Sequence, residues 1–180
     1  MIVDLTPSRP ELLEQAAELL VDRMPEGWPT LDEARAHVRE MLDPARIARG
    51  FVRGHRLLGW VGGMEHYPNH VWELHPLVVH RDHERRGVAR ALVADLEQRV
   101  RDLGIHTLYL GTDDELGLTS LGGVDLYPDV LRHLADLKNL RDHPVGFYLR
   151  LGYSVIGVMP DANGFGKPDI MMARRLVSPP

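Results

Sequence analysis

A proline in the middle of an apolar strand pattern constrains this chain more than any other feature. Glu73-Leu74-His75-Pro76-Leu77-Val78-Val79 reads as a buried strand, yet Pro76 has no N–H to give to a ladder. The pattern predicts a bulge or a splayed edge at that point, with backbone N–H groups left over to bind something else. Arg85-Arg86-Gly87-Val88-Ala89-Arg90 follows at once and opens a long amphipathic helix. A helix start with free N–H groups, a glycine and arginines suits a phosphate. Together they describe a site for an elongated phosphorylated cofactor with titratable groups beside its reactive end.

The rest of the chain reads around that centre. Ile2–Leu5 is expected as a strand, Glu11–Met24 as a helix with Pro10 at its first position, and Thr30 as the cap of a second helix. Two strands, Ile47–Val52 and Leu57–Met64, precede Trp72–Val79. The helix from Gly87 carries Val88, Leu92, Leu96, Val100 and Leu103 on one stripe and stops at Gly104. Ile105–Leu110 then completes a strand–helix–strand unit, which predicts local parallel pairing. Gly111–Leu140 is irregular apart from a short helix near Val130–Leu137. A short helix over Pro144–Leu151 and strands over Tyr153–Met159 and Ile170–Leu176 end the chain. The expectation is one α+β domain over residues 1–180, with a mixed sheet.

Composition narrows the chemistry. The 180 residues contain no cysteine, which excludes disulfides, cysteine–zinc sites and thiol nucleophiles. The net charge of -5 argues against nucleic acid and toward a cationic partner. No signal-peptide pattern begins the chain and no apolar run reaches the roughly 20 residues of a membrane span, so a cytoplasmic protein is expected.

Regular alternation places Glu73, His75, Leu77 and Val79 on one face, with the last two displaced if a bulge forms at Pro76. Two readings of Glu73 and His75 remain open at this point. Glu73 is a general base, directly or through a water, its pKa raised by partial burial; or it pairs an arginine while His75 bonds a backbone carbonyl. Asp113-Asp114-Glu115 is either a solvated turn or an electronegative basin for ammonium groups, and no histidine has metal-ligand spacing to it. Phe147 and Leu151 share a helical stripe, so Tyr148 is expected to point elsewhere; its hydroxyl stays protonated at neutral pH.

The order of these pieces resembles the GCN5-related N-acetyltransferase (GNAT) superfamily. Its phosphate-binding pattern Q/R-x-x-G-x-G/A falls on Glu84-Arg85-Arg86-Gly87-Val88-Ala89, with the first position departing. Longer words are similar to the aminoglycoside 6′-N-acetyltransferases: Trp72–Val79, Leu110-Gly111-Thr112-Asp113-Asp114, Asn139–Pro144 with Phe147-Tyr148, and Gly157–Gly164 with Lys167-Pro168-Asp169-Ile170. The resemblance implies a GNAT fold with splayed central parallel strands and transfer of acetyl from acetyl-CoA to the 6′-amine of an aminoglycoside. It implies that Leu77, Val78, Val79, Arg85, Arg86, Gly87, Val88, Ala89 and Arg90 hold the cofactor. Glu73, through water, is then the base, and His75 shapes the site and polarises that water. The Leu77 N–H meets the oxyanion, and Tyr148 protonates the thiolate. Trp28, Glu73, Asp113, Asp114, Glu115 and Asp169 would line the acceptor site. A homodimer without metal is implied. Another amine, such as a polyamine or a protein amine, or a coenzyme A sensor without turnover, remain the competing expectations.

Overall fold

The computed structural model describes residues 1–178, and its contacts divide into two compact units, Met1–His106 and Thr107 onward. The first unit carries four strands: β1 (Ile2–Asp4), β2 (Ile47–Arg53), β3 (Arg56–Tyr67) and β4 (Val71–Val79), paired antiparallel in that order. Its helices are α1 (Pro10–Arg23), α2 (Leu31–Glu40) and α3 (Val88–Asp102), with a single 3₁₀ turn at Arg81–His83 that periodicity does not reveal.

The helices cover both faces of this sheet. Gly50 pairs with Trp60 and Arg49 with Val61, so adjacent residues point to opposite sides. Trp60 is fully buried under α1, its Nε1 donating to the Ala16 carbonyl at 3.1 Å. Arg49 turns the other way, toward Asp95 of α3 at 2.7 Å and toward Asp4. Leu12, Ala16, Leu20, Ala34, Val38 and Met41 fill the layer beneath α1 and α2, whereas Leu92, Leu96 and Val100 form the buried stripe of α3. Fully burying such an aliphatic side chain contributes about 1.5–3 kcal/mol.

The bulge predicted at Pro76 is present. Val61 pairs with Leu77 and Gly63 with Leu74, so His75 and Pro76 together stand opposite Gly62 alone. A Cβ at Gly62 would lie 2.3 Å from the His75 carbonyl oxygen, so only glycine lets the chain bulge there. The extra residue changes the parity of β4. His75 meets rings from the α2 side, and Val78, three residues on, belongs to the cluster under α1 and α2. Residues three apart on a regular strand face opposite ways.

The second unit holds β5 (Thr107–Asp113), α4 (Val130–Ala135), α5 (Val145–Arg150), β6 (Ser154–Met159) and β7 (Asp169–Arg175). β7 pairs antiparallel with both β5 and β6. β5 runs three residues past the predicted Leu110, which places Asp113 inside the strand rather than after it. Tyr148, expected to point away from the core stripe, is buried at 7% exposure, while Phe147 is only half-buried. Val145 and Tyr148, at i and i+3, form the inward face. No helix among the described residues is long and apolar enough to cross a membrane.

Candidate active site

Glu73 and His75 lie on the half-buried side of β4, alternating with the buried Trp72 and Leu74. The Glu73 carboxylate reaches His66 of β3, with Oε2 and Nδ1 3.5 Å apart. Neither expected reading named this partner. β3 and β4 pair Met64 with Glu73 and shift register beyond Glu65, which turns His66 toward the carboxylate. The His75 ring is flanked by Trp28 at 5.6 Å and by His37 at 5.6 Å, the latter edge-on at 85°. Trp28, on the loop between α1 and α2, also packs on His37 at 4.7 Å. His37 is a second residue that motif reading passed over. Its signal was its place on the apolar stripe Ala34, His37, Val38 of α2, which continues to Met41 at the C-cap. Burial, and then the His75 ring, pull its pKa down to about 4, so it is neutral at physiological pH.

The turn before α3 takes the form a phosphate needs. Arg85 has φ +56° and Gly87, the N-cap, φ +83°, a conformation that favours glycine. A Cβ there would meet nothing within 4 Å, so the backbone is open to a ligand. No acidic residue enters the first turn of α3, and Arg85, Arg86 and Arg90 are exposed. Glu84, at the departing position of the phosphate pattern, is drawn aside into an ion pair with Arg23 of α1. The residues present therefore fit a pyrophosphate.

In the second unit the three consecutive acidic residues divide into three environments. Asp114 is 1% exposed. Its carboxylate accepts from Leu118 N at 2.6 Å, Thr119 N at 2.8 Å and Thr119 Oγ1 at 2.7 Å. Burial opposes its charge, but these hydrogen bonds outweigh it and hold its pKa below the usual carboxylate range. The expected ammonium ligand is thus a builder of the loop after β5. Asp113 is exposed and accepts from Asn163 Nδ2 at 2.5 Å. Glu115 lies 3.7 Å from Lys167. Asp169 stands directly opposite Asp113 in the β5–β7 pairing, so two carboxylates face the same side. No group of three or more His, Asp or Glu among the described residues makes a metal site.

His143 ties this region to α5. Val145 N donates to its Nδ1 at 3.1 Å, leaving the proton on Nε2, which lies 2.9 Å from the Asp113 carbonyl. Asn139 braces it from the other side, bonding both the backbone N–H and the carbonyl of His143. Tyr148 follows on α5, its ring 5.5 Å from Tyr153 and 5.0 Å from Phe147. Burial pushes its pKa well up, so the phenol keeps its proton across the physiological range.

Comparison with known proteins accords with this geometry. The family model described as the acetyltransferase (GNAT) family matches residues 13–122. A crystal structure of an aminoglycoside 6′-N-acetyltransferase complexed with coenzyme A is 39% identical, covers 100% of this chain and 99% of its own, and superposes with a TM-score of 0.94. The aminoglycoside 6′-N-acetyltransferase from Enterococcus faecium is also 39% identical, with the same coverage and a TM-score of 0.92. An aminoglycoside 6′-acetyltransferase of type Ii is 34% identical, again over 100% and 99% of the two chains, with a TM-score of 0.79. No curated protein matches. With a family model over more than half its length and relatives above 30% identity along all of it, the chain belongs to the acetyltransferase (GNAT) family and has its mixed α/β fold.

Proposed function

We propose that this protein transfers the acetyl group of acetyl-CoA to the 6′-amine of aminoglycosides. The observation that carries the reading is the likeness, along the whole chain, to three aminoglycoside acetyltransferases at 34–39% identity. Opposed carboxylates at Asp113 and Asp169 support a polycationic acceptor, and the coenzyme A bound by one relative supports the cosubstrate.

The chemistry follows from the side chains. An ammonium has no lone pair, so Glu73, through a water, takes its proton before attack. His75 polarises that water, and the freed amine adds to the thioester carbonyl. The resulting oxyanion accepts from the Leu77 N–H beyond the bulge. Collapse breaks the C–S bond, Tyr148 gives its proton to the departing thiolate, and the surplus proton on the nitrogen passes to water, from which the phenol is restored. Val78 and Val79 hold the cofactor's arm through their backbone, and Arg85, Arg86, Arg90 and the amides of Gly87, Val88 and Ala89 hold its pyrophosphate. Trp28 gives the acceptor sugar an apolar wall, and Asp113, Glu115 and Asp169 draw its remaining ammonium groups.

A single 1–180 GNAT domain, a cytoplasmic location and a role in antibiotic resistance belong to the same reading. So does a homodimer, supported by apolar side chains left open in the second unit: Phe165 is 98% exposed, Leu131 79% and Leu116 75%. Coenzyme A release, measured with kanamycin, with an aminoglycoside carrying a 6′-hydroxyl, and with spermidine, tests the assignment. Release with kanamycin alone is expected. Equal release with spermidine points to a polyamine acetyltransferase, and tight acetyl-CoA binding without release to any acceptor points to a sensor.

A further inference from the structure

One group beside His75 has no part in the chemistry above. His37 projects from α2 between Trp28, His75 and Trp60, with ring centroids at 4.7, 5.6 and 6.4 Å. Its Nε2 is sealed from solvent and has no hydrogen-bond partner among the described residues. A buried nitrogen left unbonded weakens a fold, and a phenylalanine of similar shape would fill the same space without that penalty. Packing alone therefore gives no reason for an imidazole at this position.

Its surroundings do. The helix that carries it is fixed at its start by a capping box, Thr30 Oγ1 accepting from Glu33 N at 3.3 Å and Glu33 accepting from Thr30 N at 3.1 Å. The His37 ring is thus held on a capped helix, edge-on to His75, with the ring centroids 5.6 Å apart. Its low pKa keeps it uncharged, with Glu40 of the same helix and Arg46 of the loop before β2 as the other charged groups acting on it. An uncharged ring suits a site that receives a polycation, because it bonds without repelling.

We propose that His37 is a positioning residue for the acetyl transfer, its buried Nε2 holding the His75 ring in one orientation during turnover. The inference rests on His75 acting at the site. His37→Phe keeps the ring and removes the nitrogen, and His37→Gln places an amide near the Nε2 position. His37→Phe is expected to fold with a melting temperature at or above that of the parent, to lose about tenfold in kcat, and to keep both KM values within about twofold. His37→Gln should recover part of that loss. The nitrogen-15 resonances of the His75 ring should move in His37→Phe, a readout that needs no turnover. Unchanged kcat and unmoved His75 resonances in His37→Phe would overturn the proposal and leave His37 a packing residue. Failure of the parent protein to acetylate kanamycin would instead strike the functional assignment, with the resonance measurement still deciding the role of His37.

Discussion

Arg49 in the first unit and Asp114 in the second are both buried charged side chains, and they are used in opposite ways. Arg49 in the first unit bonds carboxylates 45 and 46 residues away in sequence, binding β1, β2 and α3 into one block. Asp114 in the second bonds backbone and side-chain donors only four and five residues ahead, shaping a single loop. The difference extends to the candidate sites. Glu73 and His75 ride on a strand whose half-buried face is set by sheet pairing, whereas Asp113 is tied by its carbonyl to His143 and by its carboxylate to Asn163, both on loops of the second unit. Chemistry in the first unit is a matter of which face a regular element shows. In the second it depends on which side chains the loops consume.

The sharpest way to break this comparison is to remove groups that belong to only one side of it. Glu73→Gln changes a proton acceptor on a rigid strand, so the acetylation rate should fall about 100- to 10,000-fold with an unchanged melting curve. A loss of stability without that rate effect would make Glu73 structural. Asp95→Ala leaves the buried Arg49 guanidinium to the more exposed Asp4 carboxylate and should cost about 3 kcal/mol in urea unfolding of the protein. Asp114→Ala leaves three donors of one loop unpaired. It should cost about 1–3 kcal/mol, with proteolysis at residues 114–119 rising more than global unfolding does. Equal global losses from the two would erase the contrast.

Smaller effects sharpen the account of the turn and the ring. Gly87→Ala forces an L-residue to φ +83°, which should cost about 1–2 kcal/mol and raise the KM for acetyl-CoA severalfold with little change in kcat. His37 has a folded pKa of about 4 against an unfolded 6.5. The unfolded chain therefore binds its proton first as pH falls, and stability declines between pH 6.5 and 4, then levels. The His37→Phe variant should lack that component of the acid slope in pH-dependent melting.

Much of the first unit was legible because its signals are repetitive or steric. The stripe of α3, the capping box at Thr30 and the proline at the start of α1 each sit where periodicity and capping chemistry place them. The bulge at Pro76 follows from a missing N–H. His66 escaped because its meeting with Glu73 depends on a register shift between β3 and β4 that no local pattern encodes. In the second unit the acidic triplet looked uniform, since composition cannot tell a solvated carboxylate from one clasped by its own backbone. Phe147 and Tyr148 exchanged their expected places for a related reason. A six-residue helix is too short for its stripe to be read reliably, and tertiary packing decided which ring went inside.

The central claim concerns which nitrogen receives the acetyl group. Kanamycin incubated with the purified protein and acetyl-CoA gives a product whose acetyl position two-dimensional NMR reads directly. The account predicts one acetyl group, on the 6′ nitrogen. Acetylation at any other amine, or a recovered antibiotic left unmodified, would contradict it.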